Sequence, residues 1–171
     1  MTPYRSVLGP RFDDLAPALQ AFHAGPGRFE GNITVERPTN PILRLMGTLG
    51  RFPPGGQHLL TVTKSEVGDA EDWRRDIGGH IMVSRQSVRS GLIEERLGPV
   101  TVRVALDHSA DTLSMVLKSW RFLGLPLPLA LAPGIVTREW TADGHYHFDV
   151  TIALPVTGHH LVRYFGALSI A

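Results

Sequence analysis

The chain has 171 residues and a mass of 18.7 kDa, with 43% hydrophobic and 19% charged residues. This is the size of one domain spanning residues 1–171, and the composition excludes a wholly disordered chain. It has no cysteine, which removes disulfides, thiolate catalysis and cysteine-held metal centres, and its net charge of +1 lacks the basic excess of a nucleic-acid-binding module.

The N-terminus carries Arg5, Arg11, Asp13 and Asp14 without an apolar signal region, so a cytoplasmic protein is expected. Phe12, Leu15, Leu19 and Phe22 recur at helical spacing and predict an amphipathic helix over Phe12–His23, stopped by Gly25-Pro26-Gly27. A strand over Phe29–Glu36 follows. Asn40 before Pro41 has the form of an N-cap, and Ile42, Leu45, Met46 and Leu49 put an apolar stripe on a second helix.

From Gln57 the apolar period changes to two. Strands are predicted near 57–66, 71–78, 80–88, 91–97, 100–107, 112–122, 135–141, 145–154 and 159–169. The breaks between them carry turn chemistry, among them Gly68-Asp69, Ser90-Gly91, Gly98-Pro99 and Asp143-Gly144. The expected fold is mainly β: an antiparallel barrel or half-barrel of about 8–10 strands, calycin-like, with two N-terminal helices. Such a barrel is wide enough to enclose one apolar ligand. No glycine-rich phosphate loop follows a strand, so no nucleotide cofactor is assigned. The uncharged stretch Phe122–Thr137 is shorter than the roughly 20 residues of a membrane span and is broken by Pro126, Pro128 and Pro133.

The candidate site lies on the inward faces. Tyr146, Phe148, Val150 and Ile152 share one face of the strand after Asp143-Gly144, which marks that face as interior. A two-residue turn would bring Glu139 onto this face; a three-residue loop would bring Arg138 and Trp140 instead. Either places a charge inside, and a buried charge needs a partner or a ligand. Trp73 with Arg75, Glu95 with Ile93, and Tyr164 with Val162 are further inward sets. The candidate ligand-binding residues are therefore Trp73, Arg75, Glu95, Glu139, Trp140, Tyr146, Phe148 and Tyr164. No catalytic residue is assigned. Glu94 and Glu95 are adjacent in a strand and face opposite ways, so they form no dyad. His145 and His147, with Asp149 or His160, could hold one ion, but His145, His147 and Asp149 fall on the polar face, and no metal is assigned.

Two features stand apart. Fifteen of the 17 basic residues are arginine, which would serve bidentate anion binding if several converged on one pocket. The segment Leu123–Pro133 is apolar and proline-rich. It is either a crossover packed on one barrel end or an exposed surface for a partner.

Taken in order, several motifs resemble a bacterial domain family of unknown function. They are Trp73-Arg74-Arg75-Asp76-Ile77-Gly78-Gly79, Gly91-Leu92-Ile93-Glu94-Glu95 and Leu123-Gly124-Leu125-Pro126-Leu127-Pro128, followed by His147-Phe148-Asp149-Val150 and Arg163-Tyr164-Phe165-Gly166. The resemblance runs from about 15 to 168. In that family the domain often stands C-terminal to saccharopine-dehydrogenase-like, NAD(P)-binding oxidoreductases and also occurs alone. It implies no activity, but it does imply a possible oxidoreductase partner, here a separate protein. The leading expectation is a module binding a small apolar ligand with a polar head group. The alternatives are an isomerase or hydrolase using an inward carboxylate, and an accessory interaction domain that could also form a homodimer.

Overall fold

The computed structural model describes residues 1–171. The chain begins with helix α1 (Pro3–Leu8), a 3₁₀ turn (Gly9–Asp14) and helix α2 (Pro17–His23). The single helix expected over Phe12–His23 is therefore two elements. Ala16 precedes a proline and is extended, and the helix restarts with Pro17 in its first turn. Strand β1 (Gly27–Glu36) leads to α3 (Pro41–Leu49), so three α-helices are present where two were expected. Asn40 caps α3 as its sequence suggests, accepting from the backbone N–H of Ile42 at 2.9 Å and of Leu43 at 3.3 Å.

The rest is a meander: β2 (Gly56–Val67), β3 (Ala70–Ile77), β4 (His80–Arg89), β5 (Leu92–Leu97), β6 (Val100–His108) and β7 (Thr112–Phe122). A short β8 (Leu125–Leu127) folds back on the end of β7, and β9 (Gly134–Ala142), β10 (His145–Ala153) and β11 (His160–Ile170) complete it. Successive strands pair antiparallel except β8 and β9; β7 pairs with β9 and β11 returns to β1, giving a closed barrel of ten strands. The half-barrel alternative is thereby set aside.

Closure depends on how near β11 comes to β1. A Cβ on Gly31 would lie 1.9 Å from the carbonyl oxygen of Ala167, and one on Gly166 would lie 2.7 Å from that of Asn32. Only glycine permits this approach.

The barrel is not left open for a ligand along its axis. Tyr4, Phe12, Leu19 and Phe22 of the N-terminal segment are buried and join inward residues of the strands, such as Ile33, Ile77, Ile93 and Phe148, in one core. Phe22 stacks on Tyr146 with ring centroids 3.8 Å apart and meets Trp73 edge-on at 5.4 Å. The expected enclosed apolar space is thus taken by the chain's own N-terminal side chains.

The helix α3 differs from its sequence expectation in orientation. Its apolar stripe of Ile42, Leu45, Met46 and Leu49 is exposed, while Gly47 on the opposite side is buried under the Arg37 guanidinium. The segment after β7 is likewise exposed at Leu123, Leu125, Leu129 and Leu131, which overturns the reading of a packed crossover.

The seam gives a direct test. Gly31→Ala is expected to cost about 2–3 kcal/mol in urea denaturation, because backbone must move to admit the methyl. Gly134→Ala, whose Cβ would meet only Ala153 Cβ at 3.5 Å, should cost less than about 0.5 kcal/mol.

Candidate functional site

Strand alternation carries polar side chains inward together with apolar ones. In β3, Glu71, Trp73, Arg75 and Ile77 share the inner face; in β2, Lys64 follows Leu60 and Val62; in β4, Ser84 and Gln86 follow Met82. The β9–β10 turn has two residues, and Asp143 (φ 51°) with Gly144 (φ 75°) both take the left-handed conformation of the favoured hairpin turn. This sets Phe148 opposite Glu139 and turns Glu139 inward.

Inside, Glu139 meets His23 of α2, with His23 Nε2 2.6 Å from Glu139 Oε2. Burial holds the His23 imidazole below its ordinary pKa, against the opposing pull of Glu139. A neutral ring therefore donates from Nε2, and its Nδ1 is an acceptor with no partner. The ring stacks on Tyr4 at 3.8 Å, with Phe22, Trp73 and Tyr146 around it. The buried Lys64 donates to the Phe22 carbonyl, lies 3.6 Å from Glu71 Oε2 and sits 4.7 Å from the Trp73 ring. Trp73 Nε1 donates to Glu71 Oε2 at 2.6 Å. Burial lowers the Lys64 ammonium to about 8, with Glu71 and Glu139 pulling the other way. Arg75 pairs with Glu95 at 3.3 Å and donates to Ser84 at 2.8 Å. Every carboxylate in this network already holds a cation, an imidazole or an indole N–H. The phenols of Tyr4, Tyr146 and Tyr164 are raised above the usual range, chiefly by burial.

An open cleft of about 600 Å³ lies at the end of the barrel where α3 packs. Arg37, Arg44, Arg51 and His80 line it together with Phe52 and Ile81, and no carboxylate does. Arg37 is fixed by backbone carbonyls, donating to Phe52 at 3.2 Å, Pro53 at 3.1 Å and Arg44 at 3.0 Å, while its Nε is buried without a partner. Burial, and then the neighbouring Arg44, pull its guanidinium below the ordinary value. None of Arg37, Arg44 and Arg51 is in an ion pair. Arg44 and Arg51 are exposed in the same cleft, and planar guanidiniums gathered without a carboxylate are suited to holding an anion.

The structure gathers seven of the eight candidate residues in the interior: Trp73, Arg75, Glu95, Glu139, Tyr146, Phe148 and Tyr164. Tyr146 also borders a smaller cleft of about 240 Å³ at the opposite end. Trp140 is on the outer face, stacked on His147 at 5.5 Å, because the two-residue turn sets the register. Asp149 pairs with Arg163 at 2.6 Å and His145 with the Asp143 carbonyl; no group of three or more His, Asp or Glu assembles as a metal site. Sequence reasoning missed Tyr4, His23, Lys64 and Glu71. Lys64 and Glu71 were detectable, since each continues the period of its apolar neighbours. His23 had no signal beyond closing a helix. The cleft arginines are the convergence that the arginine-rich composition left open.

Fold and site together define a closed antiparallel meander barrel, plugged by its own N-terminus and bearing a cationic cleft at one mouth. The chain matches the Domain of unknown function (DUF4166) over residues 15–168 and belongs to that family. The matched span takes in β1 and runs to Leu168 in β11, leaving α1 with Tyr4 outside. No curated protein matches the chain.

The buried ammonium makes stability pH-dependent. With Lys64 near 8 in the folded chain and 10.5 as its ordinary value, the unfolded chain binds more protons between these limits. Unfolding free energy is therefore expected to rise by about 2 kcal/mol between about pH 8 and pH 10. Urea titrations of Lys64→Met should show that rise abolished.

Proposed function

We propose that the protein is a binding module for a small amphiphile with an anionic head group, taken at the α3 mouth. The observation that carries this reading is the cleft of about 600 Å³, whose charged lining is wholly cationic and unpaired. Phe52 and Ile81 offer apolar contact beside the arginines, so a carboxylate or phosphate with a short alkyl body suits both parts. The reading moves the polar anchor away from Arg75, Glu95 and Glu139, because each of these already has an internal partner. The enzyme alternative rests on the His23–Glu139 pair, which is buried beneath Tyr4 and offers no surface to a substrate.

Native mass spectrometry of the purified protein, followed by solvent extraction, tests for a retained amphiphile. Calorimetry with monomeric dodecyl phosphate is expected to show binding, weakened about tenfold by Arg51→Glu and again by Arg44→Glu. Dodecanol, with the same chain and no charge, should bind at least about tenfold more weakly. Equal affinity for the two probes would reject the anionic head group.

A second reading is the accessory domain for an oxidoreductase, or a homodimer. The exposure of Leu123, Leu125, Leu129 and Leu131 favours it, because three nearby prolines already restrict that backbone. Size-exclusion light scattering should then show a dimer that Leu127→Asp with Leu129→Asp converts to a folded monomer. A wild-type monomer would remove the homodimer.

A further inference from the structure

The two ends of the barrel have opposite chemistry. At the end away from α3, the strands turn through Gly68-Asp69, Ser90-Gly91, Ser109-Ala110-Asp111 and Asp143-Gly144, which are polar and mostly acidic. At the α3 end the connections are residues 37–55, 78–79, 98–99, 123–133 and 154–159, and not one contains Asp or Glu. The first of them holds Arg37, Arg44 and Arg51. The nearest carboxylates along the chain, Glu36 and Asp76, are each held by an arginine, Arg163 and Arg74 respectively.

This same end carries large apolar side chains in solvent. Ile42, Leu45 and Leu49 of α3 are 68%, 60% and 75% exposed, Leu123 and Leu125 are 71% and 68% exposed, and Val156 is 90% exposed. They come from three separate connections on one rim, so the exposure is not confined to one loop. In α3 the orientation is the reverse of a helix that serves a core: the backbone side rests on Arg37, and the apolar stripe faces out. The wall of the barrel differs again. It carries Arg85–Asp72, Arg103–Glu94 and Arg163–Asp149 pairs among exposed apolar residues such as Val83 and Val136, so there cations and carboxylates alternate with apolar side chains.

We infer that the α3 rim is a docking surface for an anionic lipid bilayer, engaged end-on. Leucines, isoleucine and valine enter the boundary between head groups and acyl chains while Arg44 and Arg51 meet lipid phosphates. A second copy is the less suitable occupant, because a twofold contact through this rim would set unpaired arginines near one another. An acidic groove on another protein would complement the charge but would not require apolar side chains on three separate connections. The inference stands on the composition of the rim. It shares Arg44 and Arg51 with the cleft reading, and the α3 leucines, which do not line the cleft, separate the two: Leu45→Asp with Leu49→Asp should leave dodecyl phosphate binding in place while vesicle binding falls.

The test is co-sedimentation with vesicles of phosphatidylcholine, alone or mixed with phosphatidylserine. The full-length protein is expected to sediment with the mixed vesicles, to be released by high salt and to stay in solution with phosphatidylcholine alone. Leu45→Asp with Leu49→Asp, at sites outside the core, should lower the bound fraction at least about tenfold with an unchanged circular-dichroism spectrum. Leu125→Ser with Leu131→Ser should weaken binding from the other side of the rim. The inference is overturned by absent binding to the mixed vesicles, by equal binding to both vesicle types or by undiminished binding of the α3 variant. A wild-type dimer that the α3 variant dissolves would also overturn it, assigning the rim to a second copy.

Discussion

The 2.6 Å contact between His23 and Glu139 joins the two parts of this molecule, the N-terminal plug and the barrel that surrounds it. A closed ten-stranded barrel is too wide for its own inward side chains to fill by themselves. Here α1 and α2 supply the missing volume with Tyr4, Phe12, Leu19 and Phe22. That solution brings helix ends and their polar groups into a low-dielectric interior, where each needs a partner. The Phe22 carbonyl at the end of α2 receives the Lys64 ammonium, and the His23 imidazole receives Glu139. Lys64 in turn requires Glu71, which also takes the Trp73 indole N–H. The inner network is thus a consequence of plugging the barrel, and its charges are arranged to compensate one another.

Much of the fold was legible because a barrel wall has one buried face. Alternation along β10 placed Tyr146 and Phe148 inside correctly, and Asp143-Gly144 set the register through a turn that both residues accommodate. Pro41 behind Asn40 marked the start of α3 for equally local reasons. What stayed hidden depended on the packing of distant segments. The helix expected over Phe12–His23 divides at Ala16-Pro17, yet its phenylalanines enter a core that no local pattern identifies. Trp140 changed sides with one residue of turn length. The apolar stripe of α3 was visible, but its direction was not, because amphipathicity reports a face and not what lies against it.

Charge placement follows the same division. Inside the barrel the carboxylates are all paired, and on the wall arginine–carboxylate pairs cross neighbouring strands. At the α3 mouth the pattern stops: Arg37, Arg44 and Arg51 gather without a carboxylate. Like charges placed together oppose folding, and the arrangement persists because Arg37 is tied to three backbone carbonyls that carry α3 and the segment after it. Arg37 is therefore a structural strut for this mouth, and the exposed Arg44 and Arg51 are the cations that face whatever enters it.

The plug also decides where recognition can occur. With the axis occupied by aromatic rings and the inner charges paired with one another, binding falls to the outer surfaces of the barrel. Two kinds of unsatisfied group coincide at the α3 end, cations without counter-ions and apolar side chains without cover. Exposed apolar side chains are unfavourable in water and clustered cations repel one another, and the two halves of one amphiphile answer both, its charged head meeting the arginines while its chains cover the leucines. A partner that was only charged would leave Ile42, Leu45 and Leu49 in water, and one that was only apolar would leave Arg44 and Arg51 unpaired. The chemistry of this end therefore selects for amphiphiles, singly in the cleft or assembled as a surface.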